Sequence, residues 1–393
     1  MPYTRAMKYY IKVAIEHFGF GLMIPISIAW KLQSGLSIGQ AAFTESLILL
    51  TTALFEVPAG FIADKISNKK SLLIGAVFQA AATIFLAAGN SLTIFVIAAI
   101  LSGTGWAFST GADEAYVHDD LLKDKRQYQK TFANITIVDE AATVMGMAFS
   151  SLLLLVVDDL RWPLIVAAAL LAVHACYVQF GLPHSRRHVT NTESLYMTWR
   201  SVRKALRQTV PLLPLLVALA LIYESGRILW QPHMENIGLS VASFGLVFAL
   251  YKGAAIVGSI LARHKDFGLR DLLVAFPVML IALVSFGLDQ KVVSIVALTI
   301  FLATENYFRV YMSTILNRMI TDQRAAMLSL ASSTRNILGG GLVWAAGAVA
   351  TRSIQLALIV LALAKLPAVA YLLYTHYRVR THKDVSLDEP ASI

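Results

Sequence analysis

Long apolar runs, each about the length of a bilayer-crossing helix, alternate with short polar and basic connections along the whole chain. A bilayer core takes roughly 20 predominantly apolar residues per helix. Twelve such segments are predicted, at about 9–30, 39–63, 71–89, 92–118, 131–157, 162–181, 208–231, 241–262, 271–288, 292–317, 326–350 and 353–377. The longest connection, 182–207, is rich in Arg, His, Ser and Thr and divides the segments into two sets of six. The pattern predicts an all-α membrane protein: a six-helix bundle over 1–181, a central loop over 182–207, a second six-helix bundle over 208–380 and a tail over 381–393. The first apolar run follows Arg5, Lys8 and Lys12 and reaches about Ala29 without a small-residue cleavage site. It reads as a membrane helix and not as a signal peptide.

Composition agrees with this pattern. Of 393 residues, 57% are hydrophobic and 15% charged, and the mean hydropathy is +0.65. Soluble domains carry roughly 25% charge, so a soluble enzyme, a disordered chain and a nucleic-acid-binding module are excluded. The net charge of +9 acquires meaning from position. With the amino terminus inside, 23 of the 33 Lys and Arg fall on the cytoplasmic side, against four outside (Lys31, Arg161, Lys291 and Arg352) and six within spans (Lys12, Arg227, Lys252, Arg309, Arg335 and Lys365). Cytoplasmic loops concentrate basic residues, so both termini are expected in the cytoplasm. Cys176 excludes an intrachain disulfide because no second cysteine exists; its apolar neighbourhood suggests a packed, inert thiol.

The connection after the second segment reads Gly60-Phe61-Ile62-Ala63-Asp64-Lys65-Ile66-Ser67-Asn68-Lys69-Lys70, preceded by Glu56-Val57-Pro58-Ala59. It resembles the loop 2–3 signature of the major facilitator superfamily, with Ile62 in place of the usual Leu and Ser67-Asn68 in place of the usual Gly-Arg. A faint internal repeat, Ala115-Tyr116-Val117 to Leu121 against Val310-Tyr311-Met312 to Leu316, accompanies it; repeats between halves mark secondary transporters. The resemblance implies two six-helix halves related by a pseudo-two-fold axis. It also implies a cytoplasmic gate at Gly60, Asp64, Lys65, Lys69 and Lys70. Gly60 permits close helix approach, and Asp64 can face a helix amino terminus, which the family places at the start of helix 11. The lysines also set topology. Two family features are missing: the fourth segment has no Arg over 97–108, and the fifth has Gly146 but no Gly-Pro. The second departure leaves the direction of transport open.

Nine acids lie in predicted spans: Glu16, Glu45, Glu56, Asp113, Glu114, Asp139, Glu140, Glu224 and Glu305. An ionisable group at the bilayer centre costs at least ~2.5–3.5 kcal/mol, so these groups face a cavity or pair across helices. In the superfamily helices 1, 4, 7 and 10 line the cavity. Glu16, Arg227, Tyr307, Arg309 and Arg335 are candidates for its wall, Arg309 and Arg335 for an anionic substrate group. Lys12 and Glu16, and Glu305 and Arg309, are spaced i,i+4 and share a face. Asp113 and Glu114 fall about 30 Å into their segment at 1.5 Å per residue, at the cytoplasmic mouth, and join the gate. Acids outnumber bases in the spans, and a desolvated carboxyl lacking a basic partner holds a proton more firmly. Asp139, Glu140, Glu224 and Glu305 are therefore the proton-coupling candidates. Trp106, Phe108, Tyr223, Trp230, Tyr307 and Phe308 can stack on a substrate or pack.

No Walker sequence, zinc-ligand spacing or nucleophile–base motif is present. The expected protein is a monomeric, proton-coupled secondary transporter in a plasma membrane, of the bacterial inner-membrane kind, with no cofactor besides the proton and no nucleic-acid partner. Its expected partners are lipid and a small molecule. Export of an amphipathic compound is the leading reading. Uptake of a metabolite and a non-transporting receptor are the alternatives.

Overall fold

The computed structural model describes residues 2–117, 128–183, 213, 216–217, 220, 228–264, 269–319, 324–367 and 370. Apolar runs bounded by short polar turns form helices: α1 (Pro2–Met23), α2 (Ser27–Gln33), α3 (Ile38–Ile66), α4 (Asn68–Ala87), α5 (Leu92–Ala115), α6 (Tyr128–Val156), α7 (Arg161–Phe180), α8 (Trp230–Asn236), α9 (Phe244–His264), α10 (Leu269–Phe286), α11 (Lys291–Met319), α12 (Arg324–Ala350) and α13 (Ile354–Ala364). Eight of the described segments are long and apolar enough to cross a membrane. Their outer faces are apolar as well: Leu54, Val156, Phe180 and Val292 are each at least 70% exposed, which suits a lipid environment. Cys176 stands exposed on α7. The sequence suggested a packed thiol, but the apolar run around it is an outer helix face and not core.

The predicted first span is broken. Pro25 interrupts it, so α1 ends at Met23 and α2 starts at Ser27. A proline has no N–H to continue the ladder. The second piece carries Lys31 back into the protein, 3% exposed, where the sequence placed it in an outer loop. Turns at 34–37, 88–91, 157–160, 237–240, 287–290 and 351–353 gather at one end of the bundle, here termed the far end. Gly35 and Gly238 occupy positive φ (92° and 79°) in two of them, which glycine adopts without a Cβ penalty. The opposite end, termed the motif end, carries the α3–α4 connection. Ser67 there has φ 147° and ψ 154°, a conformation almost confined to glycine. This is the position at which the resembled signature has Gly.

Helices α1 to α7 form one half, in which α1 packs on α6 and α7, α3 on α5, and α4 on α5 and α7. In the other half α11 packs between α9 and α10, while α13 joins α10 and α12. The halves meet along two seams, α3 with α12 and α6 with α9, and through α2 with α8 at the far end. Glycines make both seams close. A Cβ on Gly245 would lie 2.0 Å from the Met147 carbonyl oxygen across α6–α9, and one on Gly347 would lie 2.0 Å from the Ala42 Cβ across α3–α12. Small residues let membrane helices approach in this way. Ser46 Oγ donates to the Gly340 carbonyl at 2.7 Å, and Leu246 N donates to Ser151 Oγ at 3.2 Å.

Candidate functional site

The two seams enclose a cavity of about 550 Å³, lined from both halves. Its apolar surface comes from Phe20, Trp106, Trp230, Phe248 and Phe301 among others. Phe20 stacks on Trp106 with centroids 5.1 Å apart, and Trp230 lies 5.0 Å from Phe248 in the opposite half.

Ion pairs punctuate this apolar wall. His17 Nδ1 lies 2.5 Å from Asp139 Oδ1, joining α1 to α6. The approach of those helices is set one turn away, where a Cβ on Gly21 would lie 2.3 Å from the Thr143 carbonyl oxygen. Thr143 Oγ1 donates to Asp139 at 3.3 Å. The neighbouring Glu140 reaches across the α6–α9 seam to Lys252 Nζ at 2.9 Å, each side chain 32% exposed. Lys31 Nζ and Glu45 form a third pair at 2.6 Å, and Glu305 and Arg309 line the wall of the other half. Among the described lining residues the amino-terminal wall thus holds Lys31, Glu45, Asp139 and Glu140 with His17, a net −2 with His17 neutral and −1 with it protonated. The carboxy-terminal wall holds Lys252, Glu305 and Arg309, a net +1.

At the far end of the cavity Gln231 bridges the two halves, beside a buried apolar cluster that includes Ile28, Ala29, Leu229, Trp230 and Met234. Gln231 is 2% exposed. Its Oε1 accepts from the backbone N–H of Ile28 at 3.0 Å and of Ala29 at 2.9 Å. Its Nε2 donates to the Ile24 carbonyl at 3.0 Å. The first N–H groups of a helix lack internal partners, and Ile26, at the cap position of α2, supplies no side-chain bond. Gln231 therefore caps, from the other half, the helix that Pro25 created. Trp30 Nε1 ties α2 to the Leu86 carbonyl at 2.7 Å, and His233 Nε2 lies 3.3 Å from Ser294 Oγ behind α8, so each side of the contact is anchored to its own half. On the other side of it lies a second cleft of about 640 Å³ at the far end, lined by Gln33, Asp158, Asp159 and Glu235 among others.

Of the predicted cavity and coupling residues, Asp139, Glu140, Glu305 and Arg309 line the cavity. Glu224 and Arg227 lie outside the described residues. Three others belong elsewhere. Glu16 is buried in the amino-terminal half, bound to Lys12 Nζ at 2.7 Å with His174 Nε2 at 3.9 Å, because its face of α1 turns toward α7. Tyr307 packs beside Phe308 at 6.0 Å. Arg335 lies on α12 near the α3 seam, where Ser333 Oγ donates to Glu56 at 2.7 Å and Arg335 acts electrostatically on that carboxylate.

The described gate candidates Lys65, Lys69, Lys70 and Asp113 lie at the motif end. Asp113 lies in the last turn of α5, where it binds Lys12 Nζ at 2.7 Å and accepts from Tyr9 at 2.6 Å. Among the described residues a Cβ on Gly60 would meet nothing within 4 Å. The side chains of Asp64 and Glu114 lie outside the described residues, Lys65 and Lys70 are exposed, and Lys69 caps the end of α7 through the carbonyls of Gln179 at 2.7 Å and Leu182 at 2.8 Å. Phe108 packs against Phe78, and Tyr223 lies outside the described residues.

Two halves joined along helix seams around a mid-bundle cavity are the architecture of a membrane transporter. The sequence model of the Major Facilitator Superfamily matches residues 11–344, and the chain belongs to that superfamily. Among solved structures it is similar to the nucleoside transporter NupG, with a TM-score of 0.73 at 14% identity over 94% of this chain and 98% of that one. It is similar to a bacterial homolog of the human lysosomal transporter Spinster in an inward-facing, occupied conformation, with a TM-score of 0.72 at 12% identity over 95% and 96%. A D-xylose-proton symporter matches with a TM-score of 0.69 at 11% identity over 92% and 97%. No curated protein matches the chain in sequence. The protein is therefore a multi-pass membrane transporter and not an enzyme.

Proposed function

We propose that the protein is a proton-coupled secondary transporter that exports a small amphipathic organic compound by alternating access. In this reading it is a monomer with twelve spans, both termini in the cytoplasm, in a bacterial inner membrane. The far end is then the outer face, and the state described is closed to the outside. The observation that carries the reading is the cavity itself, apolar with charged groups from both halves and bridged at the far end by Gln231. A site at the interface of two halves is what rocking exposes to each side in turn.

Asp139 and Glu140 are adjacent in sequence yet engage different halves, His17 in one and Lys252 in the other. Protonation of Asp139 would release His17, and movement of α9 would release Glu140. This links a proton to the seam. Purified protein in proteoliposomes, assayed for substrate-dependent proton flux under each gradient direction, tests the reading. Proton influx driving efflux, lost in Asp139→Asn, is expected; flux unchanged in Asp139→Asn, Glu140→Gln and Glu305→Gln would exclude these carboxylates. Uptake is the second reading, favoured by the likeness to a protein described as a symporter. The same assay separates the two by the direction in which substrate follows protons.

A further inference from the structure

We propose that the cavity takes a zwitterionic small molecule with an apolar, ring-bearing body, its cationic group on the α6 carboxylates and its anionic group on Lys252 and Arg309. This rests on the transport reading above and narrows its substrate.

The first support is polarity. The described charges on the amino-terminal wall sum to a negative value whichever form His17 takes, and those on the carboxy-terminal wall sum to a positive one. Among the described residues the cavity wall is polarised across the seam between the halves. The second support is the Glu140–Lys252 pair, which spans that seam at 2.9 Å with both side chains about a third exposed. A monocation docking on Glu140 would strip Lys252 of its partner, and a monoanion on Lys252 would strip Glu140. A desolvated charge left unpaired is costly. A zwitterion inserted between them converts one cross-half pair into two and leaves no charge unpartnered. It also keeps the halves connected while the direct pair is parted, as a transported ligand must. The third support is the body of the site: Phe20 stacked on Trp106 in one half faces Trp230 with Phe248 in the other. Its volume, about 550 Å³, suits a small organic ligand.

The test is binding to the purified full-length protein in detergent, read by tryptophan fluorescence and thermal stabilisation. The probes are L-phenylalanine, its amide (cation only) and its N-acetyl derivative (anion only), with the same three forms of L-leucine to isolate the ring. The zwitterion is expected to bind about tenfold or more tightly than either singly charged form, with phenylalanine ahead of leucine. In Glu140→Gln/Lys252→Met this selectivity should fall to within about twofold. Equal or tighter binding of a singly charged form, or no binding by any member, overturns the proposal; the wild-type comparison alone decides this if the variant does not fold. Zwitterion binding without substrate-dependent proton flux would instead refute the transport reading and leave this site standing.

Discussion

Gln231 offers the sharpest perturbation of the conformational equilibrium. Its amide makes three hydrogen bonds to the backbone of the α1–α2 break, at 2.9–3.0 Å, in a site where the residue is 2% exposed. A buried hydrogen bond contributes about 0.5–1.5 kcal/mol net. Gln231→Ala should therefore destabilise the far-closed state by about 3 kcal/mol, or roughly a hundredfold in its population ratio to the far-open state. The open state, in which α2 and α8 are parted, loses nothing by the substitution. Spin labels at Gln33 and Asn236, exposed residues on α2 and next to the end of that contact on α8, report the far-end distance in a Cys176→Ser background. A longer-distance population should grow in Gln231→Ala. An unchanged distance distribution in a folded variant would show that the three bonds do not hold the far end, and would refute the assignment of Gln231 as its latch.

Further expectations follow from local geometry. Gly245→Ala and Gly347→Ala each force a Cβ to within 2.0 Å of the opposing helix. Such overpacking costs about 1–3 kcal/mol, so both should lengthen the same far-end distance, whereas Gly253→Ala, with nothing within 4 Å, should not. Ser67→Gly relieves a backbone at φ 147° worth about 1–3 kcal/mol against one weak cap bond to Lys70 N at 3.4 Å; a raised unfolding midpoint in detergent is expected, and a lowered one would contradict it. Lys12→Met leaves the Glu16 and Asp113 carboxylates without the ammonium both contact. Breaking such a buried group costs about 3–5 kcal/mol, seen as lost monodisperse protein on size exclusion. Adding Glu16→Gln and Asp113→Asn should recover much of it.

The helices were legible in the sequence because lipid demands long apolar runs, and α3 to α7 fall within a few residues of the predicted segments. The break at Pro25 was not, since the run on both sides stays apolar; the proline inside it was the available signal. The i,i+4 spacing of Lys12 and Glu16 foretold their pair, which local helix geometry fixes. The cavity wall was legible only in part. Asp139, Glu140, Glu305 and Arg309 reach it, but periodicity does not say toward which neighbour a helix face turns, so Glu16 and Arg335 were expected on a wall that neither lines among the described residues. Gln231 was missed altogether. A neutral amide at the end of an apolar run carries no charge signal, and its role arises from a helix more than 200 positions away. The partnership of Glu140 with Lys252 depends on the α6–α9 seam, which long-range packing alone creates.

Alternating access requires the two ends of the bundle to move in opposite senses. Paired distance measurements in proteoliposomes test this most directly. The far-end pair Gln33–Asn236 is read beside a motif-end pair, Lys65 on α3 and Arg324 at the start of α12, with and without a proton gradient. The account predicts that conditions which lengthen one distance shorten the other, and that Gln231→Ala shifts both in opposite directions. Distances that lengthen together, or that do not respond to the gradient or the substitution, would contradict it.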